Sequence, residues 1–463
     1  MSGAGVMLAA AGSGSGKTFI TCGLLRLLTR HGLRVQSFKC GPDYIDPMFH
    51  TRVLGISSRN LDPYFTDSKM LSYLYAKGSR ERDLAVVEGV MGYYDGIGGA
   101  SEAGSSYELA SVLGLPVILI VSCRGMSVSA AAIVKGFLDF RQPSRIAGVI
   151  LNQISEKVYD GVRKVIEESC GIPVLGYVPV KKEFAIESRH LGLVTPDQIE
   201  NLQARVDGLA DVLEQTLELP GLLAIAAGAG QSRIGSGKLP PALEKALNHA
   251  GKRPVRIAVA KDEAFCFLYQ DNLELLEELG AELLYFSPLR DRTMPKKVQA
   301  LILPGGYPEL YADVLSSNRT MLDSVRRAVE SGMPTLAECG GFLYLHEQLE
   351  DESGQFRPMA GVIRARAFRT GKLGRFGYIE VTARKDQLLL AAGEIIRSHE
   401  FHYWDSENCG SDCHAKKASR QQEWDCVHGS DTLYAGFPHI YFYANPDAAV
   451  RLVRKAAEYA ERI

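Results

Sequence analysis

The chain has 463 residues, 46% hydrophobic and 23% charged, which is a globular composition too long for one ordinary domain. A formal net charge of −2 gives no sign of a nucleic-acid or acidic-membrane partner, and neither is expected. Nine cysteines without a framework spacing exclude a disulfide scaffold; with no basic region before Val6 and no bilayer-length apolar run, a cytoplasmic protein is expected.

Apolar runs at Val6–Ala11, Val35–Lys39, Leu84–Glu88, Val117–Ser122 and Ile146–Asn152 are continuous rather than alternating. Such runs predict strands buried on both faces of a parallel sheet. Helical periodicity lies between them, as at Thr18–His31, and the alternation predicts a doubly wound α/β domain over 1–215. Small, flexible residues from Gly221 to Leu239, followed by Pro240-Pro241, predict a linker within 216–252. A second α/β unit, 253–463, starts with Val255–Ala260 and continues through Leu283–Phe286, Ala300–Leu303 and Thr335–Glu338. The polar stretch Asn408–Glu423 reads as a loop insertion, and the short basic cluster of Lys416, Lys417 and Arg420 as part of a solvated loop.

Ala11-Gly12-Ser13-Gly14-Ser15-Gly16-Lys17-Thr18 sits between the first predicted strand and its helix. Gly12, Gly14 and Gly16 let backbone N–H groups converge on phosphate oxygens, and the helix N-terminus adds partial positive charge. Lys17 would neutralise the β- and γ-phosphates of ATP, and the Thr18 hydroxyl would ligate Mg²⁺. The alternative is a glycine-rich turn with an incidental lysine, which the strand–loop–helix frame disfavours. Ala11 departs from the opening glycine of the strict motif. Gly12 stands where partition-type ATPases carry a second lysine, which argues against a positioning motor.

Acidic residues follow the next two strands: Asp43 and Asp46, then Glu88 and Asp95. The ligand crevice of a parallel sheet lies at the carboxyl ends of its strands, so these four are expected to converge near Lys17. Asp43 and Glu88, with Thr18, are the expected Mg²⁺ ligands. Asp46 before Pro47 and Asp95 before Gly96 also read as turn formers. Asn152, at the end of the last strand of this domain, either reads the adenine edge or caps the strand.

Thr335–Gly341 reads as a strand, a nucleophile and two glycines, with Cys339 on a strand-to-helix elbow. The helix N-terminus is expected to lower its thiol pKa. Gly306, in a second glycine turn, and Gly340 are expected to supply an oxyanion hole. A cysteine so placed forms a γ-glutamyl thioester and releases ammonia from glutamine. The alternative for Cys339 is a buried structural thiol. His439 is the expected base, with His399 and His402 as alternatives, and no third acid is evident. Cys409, Cys413, His414, Cys426 and His428 match no standard zinc spacing, so a polar loop is preferred there.

Gly12–Thr18, Cys40–Pro47, Glu88–Gly96, Ser188–Leu193, Asp262–Phe267, Pro304–Pro308, Glu338–Phe342 and Glu400–Tyr403 occur in one order along almost the whole chain. In that combination the chain resembles the cobyrinate/cobyrate glutamine amidotransferase family. The resemblance implies a dethiobiotin-synthetase-like ATP domain fused to a class I type glutamine amidotransferase domain. It implies Mg²⁺, with ATP and glutamine as cosubstrates, and amidation of the a and c acetates of cobyrinate in cobalamin biosynthesis. By motif, Asp43, Asp46, Glu88 and Asp95 become synthetase-site residues, and Cys339 and His439 the amidotransferase pair. Tyr441 and Ser122 depart from relatives that carry histidine and aspartate there. Hydrogenobyrinate and nickel-sirohydrochlorin are alternative acceptors. A regulator, a phosphate-loop ATPase with an inactive amidotransferase-like module, is the alternative of another class. Arg189 and His190 meet substrate carboxylates or form a turn, and a homodimer is allowed.

Overall fold

The structure, a computed structural model, describes residues 4–180, 195, 196, 199, 201–228, 238–248 and 254–462. The Ser188–Leu193 motif, with Arg189 and His190, lies outside them. The chain divides into two compact units, Met1–Lys238 and Leu239–Ile463.

The first unit holds β1 (Gly5–Ala10), β2 (Val35–Cys40), β3 (Arg59–Leu61), β4 (Leu84–Glu88), β5 (Val117–Ser122), β6 (Ile146–Asn152) and β7 (Val174–Val178). They form one sheet in the order β3-β2-β4-β1-β5-β6-β7. Every pairing is parallel. Valine, isoleucine and leucine runs buried on both faces explain why it is covered on both sides. Strand order reverses at β1, which lies between β4 and β5, so the crevice of this sheet opens where the glycine loop leaves β1. Helix α1 (Lys17–Arg30) begins there and α2 (Ile45–Leu54) follows β2. Residues 219–228, inside the expected linker, form a helix with Leu222 and Ala226 buried. An apolar Leu-Leu-Ala-Ile-Ala-Ala run with proline in its first turn accounts for it.

The second unit adds β8 (Val255–Ala260), β9 (Ala281–Phe286), β10 (Ala300–Leu303), β11 (Thr335–Glu338), β12 (His346–Glu350), β13 (Phe356–Pro358) and β14 (Ile363–Ala383). It continues with β15 (Ile395–Ser406), β16 (Cys413–Lys417), β17 (Glu423–Cys426), β18 (His428–Ser430), β19 (Leu433–Gly436) and β20 (His439–Ile440). The central sheet runs β18-β19-β11-β10-β8-β9, parallel except at β18. The loops after β10, β11 and β19, three adjacent parallel strands, therefore leave the same edge. The first two carry Gly305-Gly306 and Cys339, and the third leads into His439 at the start of β20.

A second, largely antiparallel sheet, β13-β12-β14-β15-β20 with β16 and β17 attached through β14, was not expected from the sequence. The stretch expected as a loop insertion contains β16. Cys413, Ala415 and Lys417 alternate as buried positions with His414 and Lys416, a period-2 pattern that polar composition hides. Lys416 is exposed, but Lys417 is buried, so the basic cluster is not simply a solvated loop. Among the described residues no helix is long and apolar enough to cross a membrane.

Candidate active sites

The glycine loop turns sharply because Gly14 and Gly16 take φ values of +75° and +84°. An L side chain is strained there, and a Cβ on Gly16 would stand 2.6 Å from the Asn152 amide nitrogen. Asn152 donates from that nitrogen to the Ser15 carbonyl at 2.8 Å, so the end of β6 braces the loop. Lys17 is buried and its ammonium donates to the carbonyls of Met91 at 2.5 Å and Gly12 at 3.3 Å. Burial, then the neighbouring Lys39 charge, pulls Lys17 down to about 8, against Glu88, Asp46 and Asp95.

Thr18 donates to Glu88 at 2.8 Å and lies 3.1 Å from Asp46. The structure thus brings Lys17, Thr18, Asp46 and Glu88 into one cluster at the ends of β1, β2 and β4. Asp43 accepts from the Ile45 backbone N–H at 2.8 Å and shapes the turn into α2. Asp95 accepts from the Gly92 N–H at 2.9 Å, although its charge reaches Lys17.

Sequence reasoning passed over Lys39 and His50. Lys39 is buried and spans Asp46 at 2.5 Å and Glu88 at 3.0 Å, while His50 Nε2 contacts the other Glu88 oxygen at 2.7 Å. Burial disfavours the Glu88 charge, but Lys39 and His50 outweigh it and hold the carboxyl below its usual range. Burial and the Glu88 charge push Asp46 up. Burial opposes the Lys39 charge too, yet Asp46 and Glu88 outweigh it and hold Lys39 above its ordinary value. A lysine inside a strand expected to be buried on both faces, just before Cys40 and the acidic loop, was the available signal for Lys39.

In the second unit Cys339 adopts φ +44°, ψ −102°, a strained elbow for a non-glycine residue. The glycines after it are sterically required. A Cβ at Gly341 would sit 2.0 Å from the Leu303 carbonyl oxygen, and one at Gly340 2.9 Å from the Gly306 nitrogen. The turn after β10 is wedged from the other side, because a Cβ at Gly305 would lie 2.6 Å from His439 Cε1. Gly306 and Gly340, the expected oxyanion donors, therefore approach each other directly.

The thiol does not behave as expected from its helix N-terminus. Burial, followed by the charges of Glu309 and Glu400, pushes Cys339 well up, and the Gly340 N–H only partly opposes them. The helix is only Gly340–Tyr344, so its dipole is small. Burial also brings His439 down to about 4, against the Glu400 charge. Without a ligand, the proton therefore belongs on sulfur.

Sequence reasoning found no third acid, but Glu338 lies beside His439. Its Oε2 is 3.8 Å from Nδ1, and its Oε1 accepts from the Ile440 N–H at 3.1 Å. Burial pushes Glu338 up to about 8, against that backbone bond. The signal was again a charged residue in a buried strand, here a carboxylate closing β11 one residue before the nucleophile. His399 pairs with His439 across β15 and β20. His402 is stacked on Phe437 and bonds Glu400 at 3.0 Å. Cys413 and Cys426 face each other across β16 and β17, and among the described residues no group of three His, Cys, Asp or Glu is placed to hold a metal ion.

Comparison with known proteins agrees with this division. Residues 6–194 match the CobQ/CobB/MinD/ParA nucleotide binding domain, and residues 256–446 the CobB/CobQ-like glutamine amidotransferase domain. A cobyrinate a,c-diamide synthase of Salmonella typhimurium is 42% identical, with 95% of each chain covered. Enzymes of that name from Dehalococcoides mccartyi and Caldanaerobacter subterraneus are 38% and 36% identical, covering 98% of this chain and 98% and 99% of theirs.

Proposed function

This chain belongs to the cobyrinate a,c-diamide synthase family, and on that premise we propose that it amidates the a and c acetates of cobyrinate. ATP and glutamine are the cosubstrates of its two domains. The observation that carries the reading is the pair of assembled sites: Lys17 and Thr18 with Asp46 and Glu88 in one unit, and Cys339 with His439 and two glycine turns in the other.

We assign the synthetase to 1–215 and the amidotransferase to 253–463, joined by 216–252. An acetate oxygen of the acceptor attacks the γ-phosphorus of ATP; ADP leaves and an acyl phosphate forms. The Cys339 thiolate attacks the side-chain amide carbon of glutamine, the nitrogen leaves as ammonia, and water releases glutamate from the thioester. Ammonia, carried within the protein, attacks the acyl carbon; phosphate leaves and the amide remains. Two such cycles give the diamide.

The hydroxyl of Thr18 and the carboxylates of Asp46 and Glu88 are hard oxygen donors within one hydrogen-bonded group, and they fit Mg²⁺. Such an ion would neutralise phosphate charge. The proposed location is cytoplasmic, consistent with nine free cysteines.

Glu338 is proposed to hold His439 Nδ1, so that Nε2 is left to take the thiol proton; the 3.8 Å gap is of the kind that closes when substrate binds. A glutamine at 338 would present N–H to that nitrogen and favour the wrong tautomer. Glu338→Gln is expected to cut glutaminase kcat by about 100-fold and leave KM within about threefold. Steady-state ammonia release measures both, and an unchanged kcat removes Glu338 from the mechanism.

The test of the whole reading is the mass change of cobyrinate with ATP and glutamine. Gain of two amides with ADP formation supports it. Turnover only on hydrogenobyrinate or nickel-sirohydrochlorin keeps the chemistry and replaces the acceptor. ATP hydrolysis without amidation of any of the three favours the regulator.

A further inference from the structure

Glu309 has no role in the chemistry above, yet it is built into the amidotransferase site. It follows the Gly305-Gly306 turn by three residues. The intervening Pro308 places its Cδ 2.9 Å from where a Cβ on Gly340 would stand, so Glu309 is covalently tied to a backbone that touches the nucleophile elbow. Its side chain is only 9% exposed, and no described side chain hydrogen-bonds or ion-pairs with its carboxyl. Burial, and then the Glu352 charge, disfavour its ionised form, against its own backbone N–H and the longer-range charge of Arg369, which makes no ion pair with it. A carboxylate taken that far from water normally has a partner, because burying an unpaired charge is costly. A second carboxylate nearby, Glu400, keeps one buried oxygen unbonded while the other meets His402. The neighbourhood of the nucleophile is thus rich in acids, whereas glutamine carries a primary ammonium on its α-carbon.

We propose that Glu309 is the recognition group for the α-ammonium of glutamine, holding it while the side-chain amide lies between Cys339 and the Gly306–Gly340 turns. This inference rests on the amidotransferase reading given above. It is supported by the behaviour of the ligand-free site. Burial pushes the Glu309 carboxyl up to about 8, so an adjacent cation would hold it ionised. The same cation would offset the Glu309 charge that acts on the Cys339 thiol. Glutamine would then ease removal of the thiol proton as it binds, and the nucleophile would stay a thiol in the empty site.

The experiment measures ammonia release by the full-length enzyme from L-glutamine and from glutaramate, the same amide without the α-amine. Wild-type kcat/KM is expected to be about 10- to 100-fold lower on glutaramate. Glu309→Gln is expected to lose a similar factor on glutamine and little on glutaramate, because ligand and protein changes delete the same contact. Equal wild-type turnover of both amides overturns the inference, whatever the variant does. A variant that loses the same factor on both amides also overturns it, since that is the mark of a structural role. If the wild type releases ammonia from neither amide, the amidotransferase reading itself falls, and this inference with it.

Discussion

Replacing Cys339 with alanine is expected to lower glutamine-dependent amidation by about 10⁴-fold or more, while amidation driven by free ammonia at high pH stays within about twofold. The size of the loss follows from the site. Nothing else described at that elbow is a nucleophile, and the thiol is buried at the end of β11 between two glycine turns. The rescue follows from the division of labour, since the Lys17 cluster lies in another compact unit. High pH matters because ammonia at neutral pH is mostly ammonium and cannot attack an acyl phosphate. Cys339→Gly is the matching control: it removes the +44° strain as well as the sulfur, so it is expected to unfold no earlier than the wild type and to be just as inactive with glutamine. Mass spectrometry of the acceptor, with each nitrogen source in turn, decides. Failure of ammonia to rescue a folded, ATP-binding variant would show that the two sites are not separable in this way. Surviving glutamine-dependent turnover would place the nucleophile elsewhere.

Much of this site was legible because its signals are local. A glycine loop between a strand and a helix, and a cysteine before paired glycines, are short patterns whose geometry is set by backbone sterics. The parallel strands were equally legible, as at Leu84–Glu88 and Val117–Ser122, because burial on both faces leaves continuous apolar runs. The second sheet was not legible. Strand β14 covers 21 residues with arginines, a lysine and glycines spaced along it, and its register shifts twice against β15. Half-buried alternation of that kind looks like a polar loop until its partner is known. Glu338 and Lys39 were missed for another reason. Each is a single charge near the end of a buried strand, and its meaning depends on what the neighbouring strand brings alongside it: His439 from beyond β19 for one, Glu88 from β4 for the other. The thiol expectation failed similarly, because a helix N-terminus can be read from sequence, whereas burial beside Glu309 and Glu400 cannot.

Lys17→Ala is expected to reduce amidation by about 10³-fold or more with either nitrogen source, and to leave ammonia release from glutamine intact. Lys17 sits with its ammonium on two backbone carbonyls, which anchor it over the glycine loop without neutralising it. A bound polyphosphate would supply that neutralisation and stabilise charge developing on the transferred phosphoryl group. Lys17→Arg is not expected to rescue, since a planar fork cannot replace a point charge seated between the Gly12 and Met91 carbonyls. The charge can be tested without mutation. Burial and Lys39 bring the free-state lysine to about 8, below its ordinary value, and phosphate binding favours the protonated form. Below that value ATP meets a lysine already charged. Above it, binding must take up a proton, and the apparent Kd is expected to rise by up to about tenfold per pH unit. Calorimetry of ATP binding in two buffers of different ionisation enthalpy at high pH should report that uptake, and Lys17→Ala should abolish it. A flat affinity across this range, or a variant that still makes amide, would remove Lys17 from the phosphate site.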